Sequence, residues 1–247
     1  MFSWNAPQFD YEPYPVCYAN NFFSEVDYLT LAQSYPETEL FQHMPTLGEK
    51  YSLSERNNSE NYHRFLTQEP LWGKLHAFVK SERFIDDTLA FLKDANIDLG
   101  LKRHRYNGRL GASRASLLSR IKGRQELSAR FEFSAMSGQG GNIRPHTDSP
   151  NKLITFVISM NAPGEWNEAW GGGTQVCLPK DRTKIYNHVN RYMDFEDVDV
   201  IKSYGFVANQ CLLFIKTYNS WHQVTPINAP PGAPLRKTLT INIEQLI

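Results

Sequence analysis

Three residues of this chain are of the types and spacing that could share one metal ion: His146, Asp148 and, much later, His222. Two imidazoles and one carboxylate can occupy one face of an octahedral ion and leave the opposite face open. That donor set suits a non-haem Fe(II) centre that activates O₂. On an extended segment, residues i and i+2 point to the same side, so the spacing predicts that His146 and Asp148 reach one ion from a single strand. His222 must then come from a second strand that folding lays alongside. A His-x-Asp pair alone occurs in many loops by chance, so the weight falls on the elements around it.

Those elements divide into two kinds. Ser24, followed by Asp27, gives an N-cap signal for a helix running to about Ser34. Leu71, Leu75 and Phe78, and then Ile85, Leu89 and Leu92, recur at helical spacing and predict two amphipathic helices broken near Ser81. Their apolar stripes read as core that covers one face of a sheet. Tyr11–Tyr18, rich in Pro and Tyr, reads as an extended arm packed on the surface. From about Leu101 the pattern changes. Segments 130–136, 153–160, 173–178, 211–215 and 237–243 read as short strands separated by Gly, Pro and Asn, as in a β-sandwich or barrel. The polar stretch 181–210 between two of them reads as an insertion with its own helix or turn, of the kind that serves as a lid.

Composition narrows the class. With 41% hydrophobic and 13% aromatic residues, 247 residues can bury a sizeable core, and all-β barrels of this length commonly form one domain. Lys+Arg 26 balance Asp+Glu 26, which removes any global pull toward nucleic acid or an anionic membrane. No apolar run approaches the roughly 20 residues needed to span a bilayer. The N-terminus lacks the basic and apolar regions of a signal peptide. Cys17, Cys177 and Cys211 are too few and scattered for a disulfide framework or a thiolate metal site. A reducing cytoplasm is therefore expected, which would also keep iron ferrous.

Taken in order, residues 129–245 resemble the iron- and 2-oxoglutarate-dependent oxygenases, most closely the branch that includes the prolyl 4-hydroxylases. The resemblance is carried by Pro145–Asp148, the strand Asn151–Asn161, the Gly-Gly-containing start of a strand at Trp170–Val176, the distal His motif Trp221–Pro226, and Leu235–Thr240, similar to the Arg-x-Ser/Thr strand that holds the cosubstrate. It implies a mainly β fold with α, a double-stranded β-helix of the jelly-roll or cupin kind, buttressed by N-terminal helices. The expected organisation is one domain over 1–247, with 1–100 as helical support and 101–247 as the core carrying the 181–210 insertion. It also implies Fe(II), 2-oxoglutarate and O₂, with ascorbate as an accessory reductant. The family couples oxidative decarboxylation of 2-oxoglutarate to hydrogen abstraction from a substrate carbon.

The resemblance assigns His146, Asp148 and His222 to the metal. The C5 carboxylate of 2-oxoglutarate must be paired deep in the barrel, and Arg236, fourteen residues after His222, is the candidate. A planar guanidinium can hold a carboxylate bidentately, which Lys237 cannot do. Thr238 and Thr240 share a face with Arg236 and could donate hydroxyls to the same carboxylate. Thr155 and Ser159 would alternate inward on the facing strand, although prolyl hydroxylases often place a Tyr near Ser159 and this chain does not. Related halogenases carry Gly or Ala where Asp148 stands, so a carboxylate there favours hydroxylation or another C–H oxidation.

Substrate contacts are expected from Arg114, Arg130 and Arg144, with Gln175 and Val224 lining the pocket and Trp221 either packing or walling it. Arg114 falls in a basic stretch, Lys102 to Arg124, with no acid between Asp98 and Glu126. Such runs are usually solvated faces; the functional reading is a landing surface for an anionic substrate. Nucleic acid is not expected, since aromatics for stacking are lacking beyond Tyr106. His43, His63, His76, His104 and His188 have no spaced partner and read as surface or satisfied core residues. The substrate expected is a small metabolite or carrier-linked intermediate. Two other readings stand beside it: a peptidyl prolyl hydroxylase-like enzyme, and a cupin-type metal-binding or sensor protein that does not use 2-oxoglutarate. A cupin without a dicarboxylate cosubstrate has no need of a deep Arg236.

Overall fold

The computed structural model describes residues 2–4, 6–101, 104–108 and 125–246. In chain order the elements are β1 (Gln8–Asp10), β2 (Val16–Ala19), α1 (Glu25–Gln33), β3 (Gln42–Met44), β4 (Lys50–Ser54), α2 (Ser59–Gln68), α3 (Pro70–Val79), α4 (Glu82–Asp94), β5 (His104–Tyr106), β6 (Gln125–Met136), β7 (Ile143–His146), β8 (Lys152–Ser159), β9 (Thr174–Pro179), β10 (Val198–Tyr204), β11 (Cys211–Ile215), β12 (His222–Val224) and β13 (Arg236–Leu246). The strands form two sheets. The larger runs β1-β2-β11-β8-β13-β6-β4-β3, with β5 beside β6, and the smaller runs β10-β9-β12-β7. Apart from the parallel β5–β6 pair, the neighbours are antiparallel. This is the two-sheet arrangement expected of a double-stranded β-helix.

The central strands explain the layering. Along β6, β13 and β8, alternate residues face opposite sides. Phe131, Phe133, Leu239, Ile241, Ile243, Ile154, Phe156 and Ile158 form the outer face and join one apolar cluster with Leu31, Trp72, Leu75, Phe84, Ile85 and Leu92 from the helices. Each such side chain contributes roughly 1.5–3 kcal/mol on burial. The helices that supply this cover begin where their caps predict. The Ser24 hydroxyl accepts from the Asp27 amide at 3.2 Å, Pro70 opens α3, and the Ser81 hydroxyl accepts from the Phe84 amide at 3.3 Å. The inner face of the same strands turns toward the smaller sheet. There Tyr14, Val16, Val176, Tyr204, Leu212 and Phe214 form a second apolar cluster between the sheets.

Three expectations need correction. Tyr11–Tyr18 is not a surface arm throughout: β2 pairs with β11, and Tyr14, Val16 and Cys17 are buried. Residues 1–100 are not only helical support, because β1–β4 extend the larger sheet at both edges. The 181–210 stretch contains β10, which pairs with β9, so its second half belongs to the smaller sheet. β10 escaped notice because it is an edge strand whose side chains are mostly exposed, so it lacks a buried apolar face. The basic stretch lies largely outside the described residues.

Candidate functional site

His146 ends β7 and His222 begins β12, and the two are register partners across the antiparallel pair. Their rings lie 4.3 Å apart, centroid to centroid. Asp148 does not continue the strand. It follows at φ +68°, in the left-handed region, so a turn swings its carboxylate toward the imidazoles. The sequence argument from strand alternation therefore reached the right neighbour by the wrong geometry. Asp148 Oδ1 is 3.5 Å from His146 Nε2, and Oδ2 is 3.9 Å from His222 Nε2. One ligand atom from each of the three lies within 4.8 Å of the others, and all three residues are buried.

The hydrogen bonds test whether a metal fits. His146 Nδ1 donates to the Arg144 carbonyl at 2.9 Å, and His222 Nδ1 donates to the Ser220 carbonyl at 2.9 Å. A carbonyl can only accept, so both protons sit on Nδ1 and both Nε2 lone pairs face the shared space. Burial, with His146 alongside, pulls the His222 pKa down to about 3, which keeps that ring neutral. Burial would raise the pKa of Asp148, but Lys152 and the two histidines overcome it and hold the carboxyl well below the usual range. A neutral His222 ring, a His146 ring whose Nδ1 proton is taken up in a hydrogen bond to a carbonyl, and an ionised carboxylate present the donor atoms that a divalent cation needs. Lys152 Nζ meets Asp148 Oδ1 at 2.6 Å, and Thr155 donates to Oδ2 at 3.2 Å, so the carboxylate is oriented from both sides.

The triad opens into a cavity of about 480 Å³ between the sheets, lined by Arg236, Thr238, Thr240, Thr155, Val157, Met136 and Val224 among others. Arg236 is 3% exposed. Its Nε donates to the Gly172 carbonyl at 2.5 Å, and its guanidinium lies 4.3 Å from the centre of the Phe206 ring. No carboxylate of the described residues pairs with it, and burial pulls its pKa down to about 9. The glycines of the Trp170–Val176 motif permit this approach. Gly172 stands at φ +86°, and a Cβ there would meet Arg236 Cδ at 3.0 Å. A buried guanidinium without a carboxylate, in one cavity with a candidate metal site, fits a dicarboxylate bound between them.

The other expected residues divide. Thr240 lines the cavity, and Thr238 lines it while donating its hydroxyl proton to the Ser134 carbonyl. Thr155 is bonded to Asp148 and to Asn242 Oδ1, which ties it to the metal end rather than to the Arg236 end. Ser159 is buried but is not part of the cavity wall, so its position gives no support to a cosubstrate role. Gln175 also lies off the wall, hydrogen-bonded to Gln223 at 2.7 Å and Ser203 at 3.3 Å. Trp221 does not line this cavity: it is fully buried with Cys177 and Val198, and its Nε1 donates to the Ile185 carbonyl at 2.7 Å. Arg144 borders the cavity but is spent on Asp194 at 2.5 Å. Arg130 reaches the cavity, and Arg114 lies outside the described residues.

Sequence reasoning missed the clamp over the triad. The Asn190 side chain accepts from the Thr147 amide at 3.2 Å, the Asn187 carbonyl accepts from the Thr147 hydroxyl at 3.3 Å, and the Met193 amide donates to the Pro145 carbonyl at 3.0 Å. Tyr192 stacks on His146 with centroids 5.3 Å apart. The 181–210 insertion is thus fastened to β7 beside the candidate ligands. Lys152 was missed too, although its position four residues after Asp148 was a readable signal.

Comparison with known proteins follows the same line. Residues 131–244 match the family model of the 2OG-Fe(II) oxygenase superfamily. No curated protein matches the chain. Among solved structures it is similar to a prolyl hydroxylase from Trichoplax adhaerens in complex with a hypoxia inducible factor oxygen degradation domain peptide fragment, at 15% identity and TM-score 0.48 over 93% of this chain and 83% of that one. A Pseudomonas putida prolyl-4-hydroxylase is similar at 13% identity and TM-score 0.45, over 93% and 91%. The non-heme alpha ketoglutarate dependent epimerase SnoN from nogalamycin biosynthesis is similar at 9% identity and TM-score 0.48, over 93% and 76%. No helix among the described residues is long and apolar enough to cross a membrane. The family match selects the oxygenase reading over the cupin or sensor one: residues 131–244 carry a 2OG-Fe(II) oxygenase domain, and the chain is an enzyme that uses Fe(II), 2-oxoglutarate and O₂.

Proposed function

We propose that this oxygenase hydroxylates a small molecule or a carrier-linked intermediate, with His146, Asp148 and His222 holding Fe(II) and Arg236 pairing with the C5 carboxylate of 2-oxoglutarate. The observation that carries the assignment is a single cavity with an imidazole and carboxylate triad and, on the same wall system, a buried guanidinium with no acidic partner among the described residues. The bound iron and cosubstrate supply the oxidising power that removes hydrogen from a substrate carbon. The chain's own residues bind, orient and exclude water. Arg236 offers a preorganised planar fork. Thr240 is the hydroxyl placed to donate to the same carboxylate, since Thr238 has given its proton to Ser134. Lys152 and Thr155 fix the carboxylate of Asp148, and Tyr192 shields His146.

A small substrate is favoured by the cavity, which is of ordinary size for a small-molecule site and must also take the cosubstrate. It is favoured again by the insertion, whose hydrogen bonds to Thr147 and Pro145 fasten it beside the triad. The presence of Asp148 favours hydroxylation over halogenation. We also take residues 1–247 as one domain, because residues from Cys17 to Ile243 share a single apolar cluster. The test is anaerobic titration of metal-free protein with Fe(II) and then 2-oxoglutarate, followed by visible absorption. A weak charge-transfer band that needs both additions is expected, and it should be lost in Asp148→Ala and demand far more 2-oxoglutarate in Arg236→Met. Bound iron with no band on adding 2-oxoglutarate would overturn the assignment.

A further inference from the structure

The cavity wall contributed by β4 and β6 carries two cations for one carboxylate. Lys50 Nζ lies 2.7 Å from Glu132 Oε1, and the Ser52 hydroxyl donates to the same oxygen at 2.8 Å. Arg130 donates to Oε2 through Nη2. Glu132 is 2% exposed; burial would raise its pKa, yet Lys50 and Arg130 together hold it ionised. The wall therefore keeps one surplus positive charge. Arg130 Nε is buried with no hydrogen-bond partner among the described residues, an arrangement that costs free energy unless something accepts from it.

The register fixes where Arg130 stands, while Lys50, on the row of Met136 and Arg236, reaches back along the wall to Glu132. Arg130 is the partner of Asn242 on β13, and Asn242 is the partner of Thr155 on β8. Thr155 in turn touches Asp148. Arg130 is thus level with the triad, two strand spacings or about 10 Å away along the sheet. Arg236 is six positions back along β13, roughly 20 Å by strand rise, so the two arginines serve different ends of the space. Arg144 is no rival, since Asp194 neutralises it.

We propose that Lys50 and Arg130 form the docking subsite for a carboxylate on the substrate, which makes the substrate a small carboxylic acid oxidised a few bonds from that group. Two cations and two carboxylates, one of them Glu132, close an alternating square of charge. The single surplus charge matches a carboxylate better than a phosphate monoester, whose charge approaches −2. Phe214, the register partner of Thr155, and Val157, two positions along β8, supply apolar cavity wall beside the triad for the rest of the molecule. This inference rests on the metal assignment above.

The test uses benzoate and its neutral analogue benzamide, titrated calorimetrically into the full-length protein with saturating 2-oxoglutarate, so that Arg236 is already taken. Benzoate should bind saturably and at least 10-fold tighter than benzamide and than inorganic phosphate. Arg130→Gln should weaken benzoate at least 10-fold, whereas Glu132→Gln, which frees both cations, should tighten it. Opposite signs at neighbouring residues are not what mere structural damage would produce. Equal affinity for benzamide, tighter binding of phosphate, no saturable benzoate binding, or weakening in both variants would overturn the subsite. The charge-transfer band is read separately. Benzoate binding in a protein that shows no band would leave an anion site but remove its role as a substrate site.

Discussion

The two faces of β6, β13 and β8 are made by the same strands, yet they obey different rules. The outer face is Phe131, Phe133, Leu239, Ile241, Ile243, Ile154, Phe156 and Ile158, packed under the helices. The inner face is Arg130, Glu132, Ser134, Arg236, Thr238, Thr240, Asn242 and Thr155, of which only Arg130 and Thr240 escape full burial. Burying apolar area stabilises the chain, whereas burying this many polar groups does so only where each finds a partner. The outer face therefore reads as what folds the protein, and the inner face as what the fold exists to hold. Substitutions on the two faces should separate stability from chemistry.

The largest separation is expected at the triad. Asp148→Ala should abolish metal binding and turnover together, while the metal-free protein loses only what the Lys152 and Thr155 contacts contribute and keeps its outer-face core intact. Equilibrium dialysis with Fe(II) under anaerobic conditions checks this, and retention of stoichiometric metal would move the site elsewhere. The converse is Phe133→Ala. Phe133 is fully buried against Tyr35, Phe65 and Trp72, and its removal should cost about 4 kcal/mol by denaturant titration. The fraction that remains folded should still bind Fe(II) and 2-oxoglutarate with wild-type affinity.

How much of each face was legible follows from the same contrast. Periodicity finds apolar residues, so the helices carrying Leu75 and Leu92 and the strands carrying Phe133 and Ile241 were readable, although β6 begins at Gln125 rather than Arg130 and β13 runs on to Leu246. The edge strand Val198–Tyr204 was not, because its exposed side chains carry no burial pattern. On the inner face, residue chemistry and spacing brought His146, Asp148, His222 and Arg236 into view. They could not show which partners the polar groups take. Thr155 turned out to serve Asp148, Gln175 to serve Gln223, and Trp221 to serve the core of the insertion, because those outcomes depend on strand register and loop paths. The left-handed turn at Asp148 was equally invisible, since nothing in Thr147 or Ser149 announces it.

An inner-face residue can also be a stabilising one when its partners are complete, and Glu132 is the case. With Lys50, Ser52 and Arg130 around it, Glu132→Gln should cost about 3 kcal/mol at neutral pH by leaving two cations short of their counter-charge. The sign with pH is fixed by its depressed pKa. Its contribution is fully present above the ordinary carboxyl value of 4.5 and is lost as pH falls toward the folded-state value. The gap between wild type and variant in urea midpoints should hold constant from pH 8 to pH 5 and narrow below about 4.5. A gap that stays constant through pH 3 would mean that the destabilisation is steric rather than ionic.

Arg236 is the opposite inner-face residue, a cation whose counter-charge is absent until cosubstrate arrives. Arg236→Met should raise the 2-oxoglutarate requirement about 100-fold, equivalent to about 2.7 kcal/mol. The same change should make the ligand-free protein more stable by on the order of 1 kcal/mol, since an apolar side chain replaces a buried unpaired charge. Here burial lowers the pKa of a base, to about 9 from 12.5, so the cost is fully present below pH 9 and is relieved as pH rises above it. Wild-type 2-oxoglutarate affinity should fall over that same range, because the guanidinium that pairs with the carboxylate is losing its charge. Thermal melts of wild type and variant, with and without 2-oxoglutarate, read both halves at once. A variant less stable than wild type in the absence of cosubstrate would place Arg236 with Glu132, among the polar residues that hold the fold. A more stable variant that no longer responds to 2-oxoglutarate would place it with Asp148, among those the fold is built to carry.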